Sequence, residues 1–183
     1  MTQTTNGNSA PGATTPSAAP DNAAAQQLII NAQYIKDLSF ENPRAPQSLT
    51  QQNAAPAVEI NVDVNAQNLN AQDPNAQNPN AETYEVVLTI KAGAKIDGET
   101  LFLAELAYGA VVTVRNLPRE ALPMVLLVET PRLMFPFARN ILADATRDGG
   151  FPPLMINPID FTELLRRQQT TAPAAEPPPT TAA

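Results

Sequence analysis

The chain contains no cysteine, no histidine and no tryptophan. Without cysteine it cannot form the disulfides that stabilise small secreted scaffolds. Without cysteine and histidine, zinc and other transition metals lose their usual sulfur and nitrogen ligands. The missing histidine is also the commonest general base, so Ser-His-Asp and Cys-His catalytic machinery is excluded. An enzyme with this composition would have to use carboxylates, Lys, Tyr or hydroxyl groups, and we expect no metal, no other cofactor and no catalytic residues.

A membrane-spanning run and a signal peptide are absent as well. No uninterrupted apolar run approaches the ~20 residues that cross a bilayer, and residues 1–25 lack a basic start and an apolar centre. We therefore expect a cytoplasmic protein that does not insert into the membrane. Basic residues are few, with 11 Lys and Arg against 18 Asp and Glu and a formal net charge of −7. This charge argues against nucleic acid as a partner and favours a basic protein surface.

Composition divides the chain into one domain and two tails. Residues 1–25 and 169–183 are rich in Ala, Thr and Pro and are predicted to be disordered. Residues 26–168 have the size of a single domain. Within them, residues 65–81 include the repeated pentad NAQNL, NAQDP, NAQNP. This period matches neither helix nor strand, and Asn, Asp and Pro favour turns, so we predict an inserted surface loop.

Alternating apolar and polar residues predict four strands, over 28–40, 58–64, 83–92 and 100–115. The alternation in the first strand assigns Tyr34 to the same apolar face as Leu28, Ile30, Leu38 and Phe40. An Asp-Gly pair at 97–98 predicts a tight hairpin between the third and fourth strands.

The period changes after the fourth strand, and helices are predicted over 119–129, 131–147 and 160–168. Thr130 is the expected cap of the second helix, Pro136 is expected to bend it or lie in its first turns, and Gly149-Gly150 are expected to end it. Strands followed by helices predict an α+β fold, in which helices pack on one side of a four-stranded antiparallel sheet.

Five segments, in this order, resemble the SecB family of bacterial export chaperones. They are YIKDLSFENPRAP at 34–46, YEVVLTI at 84–90, GETLFLAEL at 98–106, LMFPFARNIL and GGFPPLMINPIDF. The resemblance implies a SecB-like fold and a homotetramer built as a dimer of dimers. It also implies an ATP-independent chaperone that binds unfolded precursor proteins and delivers them to the motor protein SecA. Docking on SecA is partly through that protein's basic, zinc-bearing C-terminal tail.

The resemblance also implies two sets of site residues. A SecA-binding surface corresponds to Asp37, Glu41, Leu103 and Glu105, although acidic pairs without this resemblance more often belong to an ordinary solvated sheet face. The strand that the family uses for client binding or tetramer assembly corresponds to Phe102, Ala104, Leu106 and Tyr108. Because an unfolded client offers apolar side chains, the aromatic residues Phe40, Phe137 and Phe151 are added as candidates for the client-binding groove. The alternation of the fourth strand by itself predicts core for the apolar members of this set.

Two other functions remain open from the residues. The first is a SecB-like chaperone dedicated to a single client, such as a toxin-antitoxin partner. The second is a carboxylate-dependent hydrolase that would pair Asp37 with Glu41, or Glu99 with Glu105. Glycoside hydrolysis, for example, requires two carboxyl groups across a cleft.

Overall fold

A computed structural model of the chain describes residues 25–50, 55–69 and 81–171. Most of the predicted tails and of the pentad loop lies outside the described residues, and the disorder of those parts stays a prediction. The last helix continues to Thr171, three residues into the predicted C-terminal tail. The described residues form a sheet of four strands and a set of helices that packs on one side of it.

The four strands are β1 (Gln27–Glu41), β2 (Ala57–Asn68), β3 (Ala81–Ile96) and β4 (Glu99–Arg115). They pair antiparallel in the order β1-β4-β3-β2, so β1 and β2 are the edges. The predicted α+β fold is therefore confirmed. The strand β2 runs on to Asn68, into residues that were assigned to the loop.

The predicted hairpin joins β3 to β4. Asp97 has a φ of 52° and Gly98 a φ of 82°. Two successive left-handed residues form the turn whose twist matches antiparallel strands, and Asp-Gly is the pair that tolerates it best. The local sequence therefore explains the conformation of this turn.

Two bulges in β1 change the predicted assignment of its faces. The pairing with β4 shifts between Ile30 and Ala32 and again between Ile35 and Asp37. Each bulge adds one residue to β1 and moves the following side chains to the opposite face. Tyr34 consequently pairs with Gly109 and lies on the face away from the helices. Its assignment to the apolar face was wrong.

Helical structure is continuous from Arg119 to Asp148. A 3-10 turn (Arg119–Ala121) leads into α2 (Leu122–Met124), a π-helical turn (Val125–Glu129) and α3 (Thr130–Asp148). By length and composition alone this segment could cross a bilayer, but so can many core helices, and its inner side is buried against the sheet.

Thr130 does not cap α3, contrary to prediction. The chain reaches it already helical, and both its backbone N–H and its hydroxyl donate to the carbonyl oxygen of Val125, the latter at 2.8 Å. The side chain is fully buried, so its hydroxyl needs a partner in the preceding turn rather than at a helix start.

The predicted end of α3 and start of the last helix are confirmed. The N–H of Gly149 donates to the carbonyl of Ala145, and Gly150 has a φ of 90°. The Oδ1 atom of Asp160 accepts the N–H groups of Thr162 (2.9 Å) and Glu163 (3.1 Å) at the start of α4 (Phe161–Thr171). These bonds hold the pKa of Asp160 below its usual value.

The core lies between α3 and the middle of the sheet. Pro136 lies inside α3, in its second turn. A short helix of four residues, α1 (Gln47–Thr50), follows β1. Fully buried side chains of β3, β4 and α3 include Leu88, Ile90, Leu106, Val112, Met134, Ala138 and Leu142. The alternation of β3 and β4 places these residues on the helix-covered face. The other side, here called the open face, has no covering layer within residues 25–50, 55–69 and 81–171.

Candidate functional site

The four residues expected to bind SecA lie together on the open face. Glu41 of β1 pairs with Leu103 of β4, and Glu105 of β4 pairs with Ser39 of β1. Asp37 pairs with Ala107, which is two residues after Glu105 on β4. Adjacent antiparallel strands hold paired side chains about 5 Å apart, so the sheet brings the four residues onto one patch.

Lysines share this patch, and sequence reasoning missed them. Lys91 of β3 pairs directly with Glu105, with Nζ 2.8 Å from Oε1. The Nζ atom of Lys95 lies 3.6 Å from Oε2 of Glu59 on β2. Together with Glu41 these residues line a shallow cleft of about 260 Å³, here called the mixed-charge cleft. The odd positions of the two lysines in the third strand were an available signal.

A second polar cluster occupies the other half of the open face. The Tyr34 hydroxyl donates to Oε1 of Glu85, and Lys36 Nζ donates to Oε1 (2.8 Å) and Oε2 (2.9 Å). The ring of Tyr34 crosses β4 over Gly109, where a Cβ atom would come within 2.6 Å of it. Only glycine leaves room for this crossing from β1 to β3.

The cluster changes the acidity of both of its hydrogen-bonded groups. The bond to Glu85, burial and the charge of Glu85 raise the pKa of Tyr34 to about 12. Lys36, followed by Tyr34, lowers the pKa of Glu85 against the opposing effect of burial. This part of the open face is therefore already occupied by internal partners.

The helix-covered face ends in an apolar pocket of about 250 Å³. Three of the predicted client residues form an aromatic cluster there, with ring centroids 5.7 Å apart for Phe40 and Phe102 and 5.1 Å apart for Phe102 and Phe151. Phe102 and Phe151 line the apolar pocket, and the remaining walls are Pro56, Val58, Ile96, Leu101, Pro152, Pro153, Leu154 and Met155. The Pro-rich run at 151–158 was a signal for the last four of these residues only.

Thr146 holds the wall of the apolar pocket in place. Its side chain is fully buried, and its hydroxyl donates to the carbonyl oxygens of Leu142 and Ala143, each at 3.0 Å. The same oxygen accepts the N–H of Leu154 at 2.9 Å, and the Phe151 N–H donates to the Thr146 carbonyl. The segment after α3 is thereby fastened to the helix.

The other predicted client residues do not join this pocket. Ala104, Leu106 and Tyr108 are buried in the core of the single chain, so none of them is accessible to a client in this structure. Phe137 is on α3 but outside the pocket, and 54% of its surface is exposed. The expected set thus separates into pocket, core and helix surface.

Apolar side chains also remain exposed where helices do not cover the sheet edges. Ile35 and Leu38 on β1 are 49% and 41% exposed, and Leu133 on α3 is 51% exposed. Val58 and Ile60 on β2 are exposed as well. These positions enlarge the apolar surface that a single chain presents to solvent.

The geometry does not suit a hydrolase built on the paired carboxylates. Glu99 and Glu105 are six positions apart on one strand, about 20 Å, and Asp37 and Glu41 are about 13 Å apart. Glycosidase carboxyl groups lie about 5–9.5 Å apart. Glu99 is also paired with Arg44. Among the described residues, no group of three or more acidic side chains is arranged to hold a metal ion.

Comparisons with known proteins identify the family of this chain. The family model "Preprotein translocase subunit SecB" matches residues 21–172. The chain is 48% identical over 163 residues to the protein-export protein SecB of Rhodopseudomonas palustris, covering 89% of this chain and 92% of that protein. It is 54% identical over 141 residues to that of Paramagnetospirillum magneticum, covering 76% and 84%.

A solved structure shows the same fold at low sequence identity. It is a SecB-like chaperone of Mycobacterium tuberculosis in complex with an antitoxin peptide, with a TM-score of 0.53 and 14% identity over 72% of this chain and 90% of that one. Identity this low supports the fold alone. The family model and the close relatives decide the classification: this chain belongs to the SecB family.

Proposed function

We propose that this protein is an ATP-independent chaperone of the cytoplasm, which binds unfolded precursor proteins and delivers them to SecA for export. The observation that carries the proposal is the apolar pocket beside the aromatic cluster. An unfolded chain exposes apolar side chains that a folded protein hides. Covering them gains roughly 25 cal/mol for each Å² removed from water, whatever their sequence.

The exposed apolar residues support an assembly larger than one chain. β1 is an edge strand of fifteen residues, and its free backbone groups can pair with another strand. Ile35 and Leu38 of β1 and Leu133 and Phe137 of α3 offer apolar surface of the kind that subunit contacts bury. We propose a homotetramer, a dimer of dimers, in which several apolar pockets hold one long client by avidity.

The open face is the proposed SecA-binding surface. Asp37, Glu41 and Glu105 place carboxylates beside the exposed Leu103, an arrangement that suits a basic peptide with some apolar character. Charge complementarity of this kind steers association and sets register. The zinc of the partner's tail stays with the partner, and the proposed function requires no catalytic residue or cofactor of this chain.

Light scattering on a sizing column tests the client-binding part. The protein is mixed with a slow-folding precursor, either denatured or native. A tetramer mass that increases only with the denatured form supports a holding chaperone, whereas no increase with either form contradicts it. Recovery of one bound protein, rather than many precursors, from growing cells would favour a dedicated chaperone of the toxin-antitoxin type.

Two variants separate the two proposed surfaces. Met155→Glu introduces a charge at a pocket residue that is 66% exposed. It should weaken client capture and leave SecA binding intact. Glu105→Lys reverses a charge on the open face and should have the opposite effect. Equal loss of both activities in either variant would show that the two surfaces are misassigned.

A further inference from the structure

The carboxylate at the centre of the proposed SecA-binding surface already has a cation. Lys91 and Glu105 are opposite each other on β3 and β4, and their side chains form an ion pair of 2.8 Å. Both are well exposed, at 58% and 41% of their side-chain surface. A basic partner that approaches Glu105 therefore meets a charge that is neutralised within the chain.

Ion pairs with lysine neutralise most of the negative charge in the mixed-charge cleft. Three carboxylates, those of Glu41, Glu59 and Glu105, share it with the ammonium groups of Lys91 and Lys95. Lys95 pairs with Glu59 at the longer distance of 3.6 Å. Each lysine thus occupies a different carboxylate, although each contributes the same single charge to the cleft.

An exposed pair of this type is held weakly, because water screens both charges. A cation from another protein can consequently replace the lysine. A guanidinium group has an advantage in this exchange, since it binds a carboxylate through two parallel hydrogen bonds whereas an ammonium group acts as a point charge. Breaking the Lys91–Glu105 ion pair offsets part of the binding free energy that the partner gains from its own contact with Glu105.

We infer that Lys91 is a specificity-determining residue of the docking surface: it occupies Glu105 in the unbound protein and yields it to a basic, arginine-bearing segment of the partner. This inference rests on the proposed function, because it concerns the same surface. It predicts that Lys91 lowers the affinity for every basic segment and lowers it least for segments that bring a guanidinium group to Glu105.

The test is titration calorimetry with purified SecA and the full-length protein. Lys91→Met removes the ammonium group and keeps the length of the side chain. We expect binding about two- to fivefold tighter at low salt, the range that an exposed ion pair accounts for. The matched control is Lys95→Met, which makes the same change in net charge without touching Glu105, and we expect it to tighten binding less.

A double variant tests whether Lys91 lowers the affinity by pairing with Glu105. In a Glu105→Gln background, Lys91→Met should no longer tighten binding, because the carboxylate that it competes for is gone. Equal tightening by Lys91→Met and Lys95→Met would overturn the inference in favour of net charge alone. Weaker binding by Lys91→Met would overturn it too, since Lys91 would then contact the partner directly.

The same titrations distinguish this inference from the proposed function. If Glu105→Gln leaves SecA binding unchanged, the surface itself is misassigned. If Glu105→Gln weakens binding while Lys91→Met has no effect, the surface stands and the role of Lys91 is wrong. Circular dichroism of each variant checks that the fold is retained, as expected for exposed side chains.

Discussion

The two faces of the sheet come from the same strands but are stabilised differently. On the helix-covered face, Leu88, Ile90 and Leu106 are fully buried against α3 and its neighbours. On the open face, the intervening residues of β3 and β4 form individual ion pairs and hydrogen bonds, such as Lys91–Glu105 and Lys36–Glu85. Packing on the first face depends on volume and shape, whereas the second depends on separate polar pairs.

This difference separates what each face can do. A close-packed layer resists substitution and gives the molecule its stability. A face built from weak, exposed pairs can exchange its internal partners for external ones at little cost to the fold. The open face is therefore the better surface for reversible docking, while the apolar pocket lies at the end of the packed layer, where that layer stops covering the sheet.

The largest expected effect compares two leucines of β4. Leu106→Ala opens a cavity in the core and should lower the free energy of unfolding by about 2–5 kcal/mol. Leu103 is 44% exposed on the open face, and Leu103→Ala should cost less than about 1 kcal/mol. Urea unfolding followed by circular dichroism, at one fixed protein concentration, measures both. Similar losses would contradict the contrast between the faces.

The next effect tests a close-packed point of the open face. Gly109→Ala places a Cβ atom 2.6 Å from the Tyr34 ring, which must swing away and break its bond to Glu85. We expect a loss of about 1–3 kcal/mol in the free energy of unfolding. In a Tyr34→Ala background the same substitution should cost much less. An equal cost in both backgrounds would mean that Tyr34 is not the obstacle.

A smaller effect is expected where the packed layer meets the apolar pocket. Thr146→Val keeps the shape of the side chain but leaves the Leu154 N–H without its acceptor. We expect a loss of about 1–2 kcal/mol and faster hydrogen exchange at the Leu154 amide. Thr170→Val, on the exposed side of α4, removes a similar hydroxyl bond to a backbone carbonyl and is the control. If exchange at Leu154 is unchanged, Thr146 does not fasten the pocket wall.

The helix-covered face was largely predictable and the open face was not. Alternation in β3 and β4 identifies the buried residues because burial acts on each side chain separately. The contact of Tyr34 with Glu85 depends on strands distant in sequence, which periodicity does not contain. Lys91 and Glu105 lie in one hairpin, but their register depends on a bulge between Ala94 and Lys95 that periodicity does not reveal either. The bulges of β1 belong to the same class, since a bulge exists only relative to a partner strand.

The helical region also shows that local sequence patterns do not reveal how neighbouring segments fold. Thr130-Pro131 is a typical helix start, and it misled the prediction because the preceding turn was already helical. For the candidate site, the run FPPLMINP supplies several walls of the apolar pocket. Asp37, Glu41, Leu103 and Glu105, the residues that the resemblance suggested, share the open face, and their role in binding SecA stays a prediction. The walls of the apolar pocket required the folded structure, because Pro56 and Val58 come from β2 and the segment before it.

The smallest expected effect concerns the Tyr34 cluster at alkaline pH. The pKa of Tyr34 is raised from 10.0 to about 12, so the folded state holds the proton more tightly than the unfolded state. Its contribution to stability is therefore complete below pH 10 and is lost as the pH rises from there through about 12. Glu85 acts in the opposite direction: its lowered pKa gives a contribution that is present above its ordinary value and is lost in acid.

Tyr34→Phe should consequently flatten the alkaline decline in stability by about 1 kcal/mol or less, because the cluster is partly exposed. Part of the decline should remain, since the pKa of Tyr84 is also raised to about 12, by burial and by its bond to Glu82. Tyr84→Phe is therefore the matched variant, and the two changes together should flatten the decline further than either alone. Urea unfolding at pH 9, 10, 11 and 12 measures the slopes; an unchanged slope in Tyr34→Phe would mean that the pKa of Tyr34 is not raised in the folded state, and that Tyr34 stabilises β1 only by packing over Gly109.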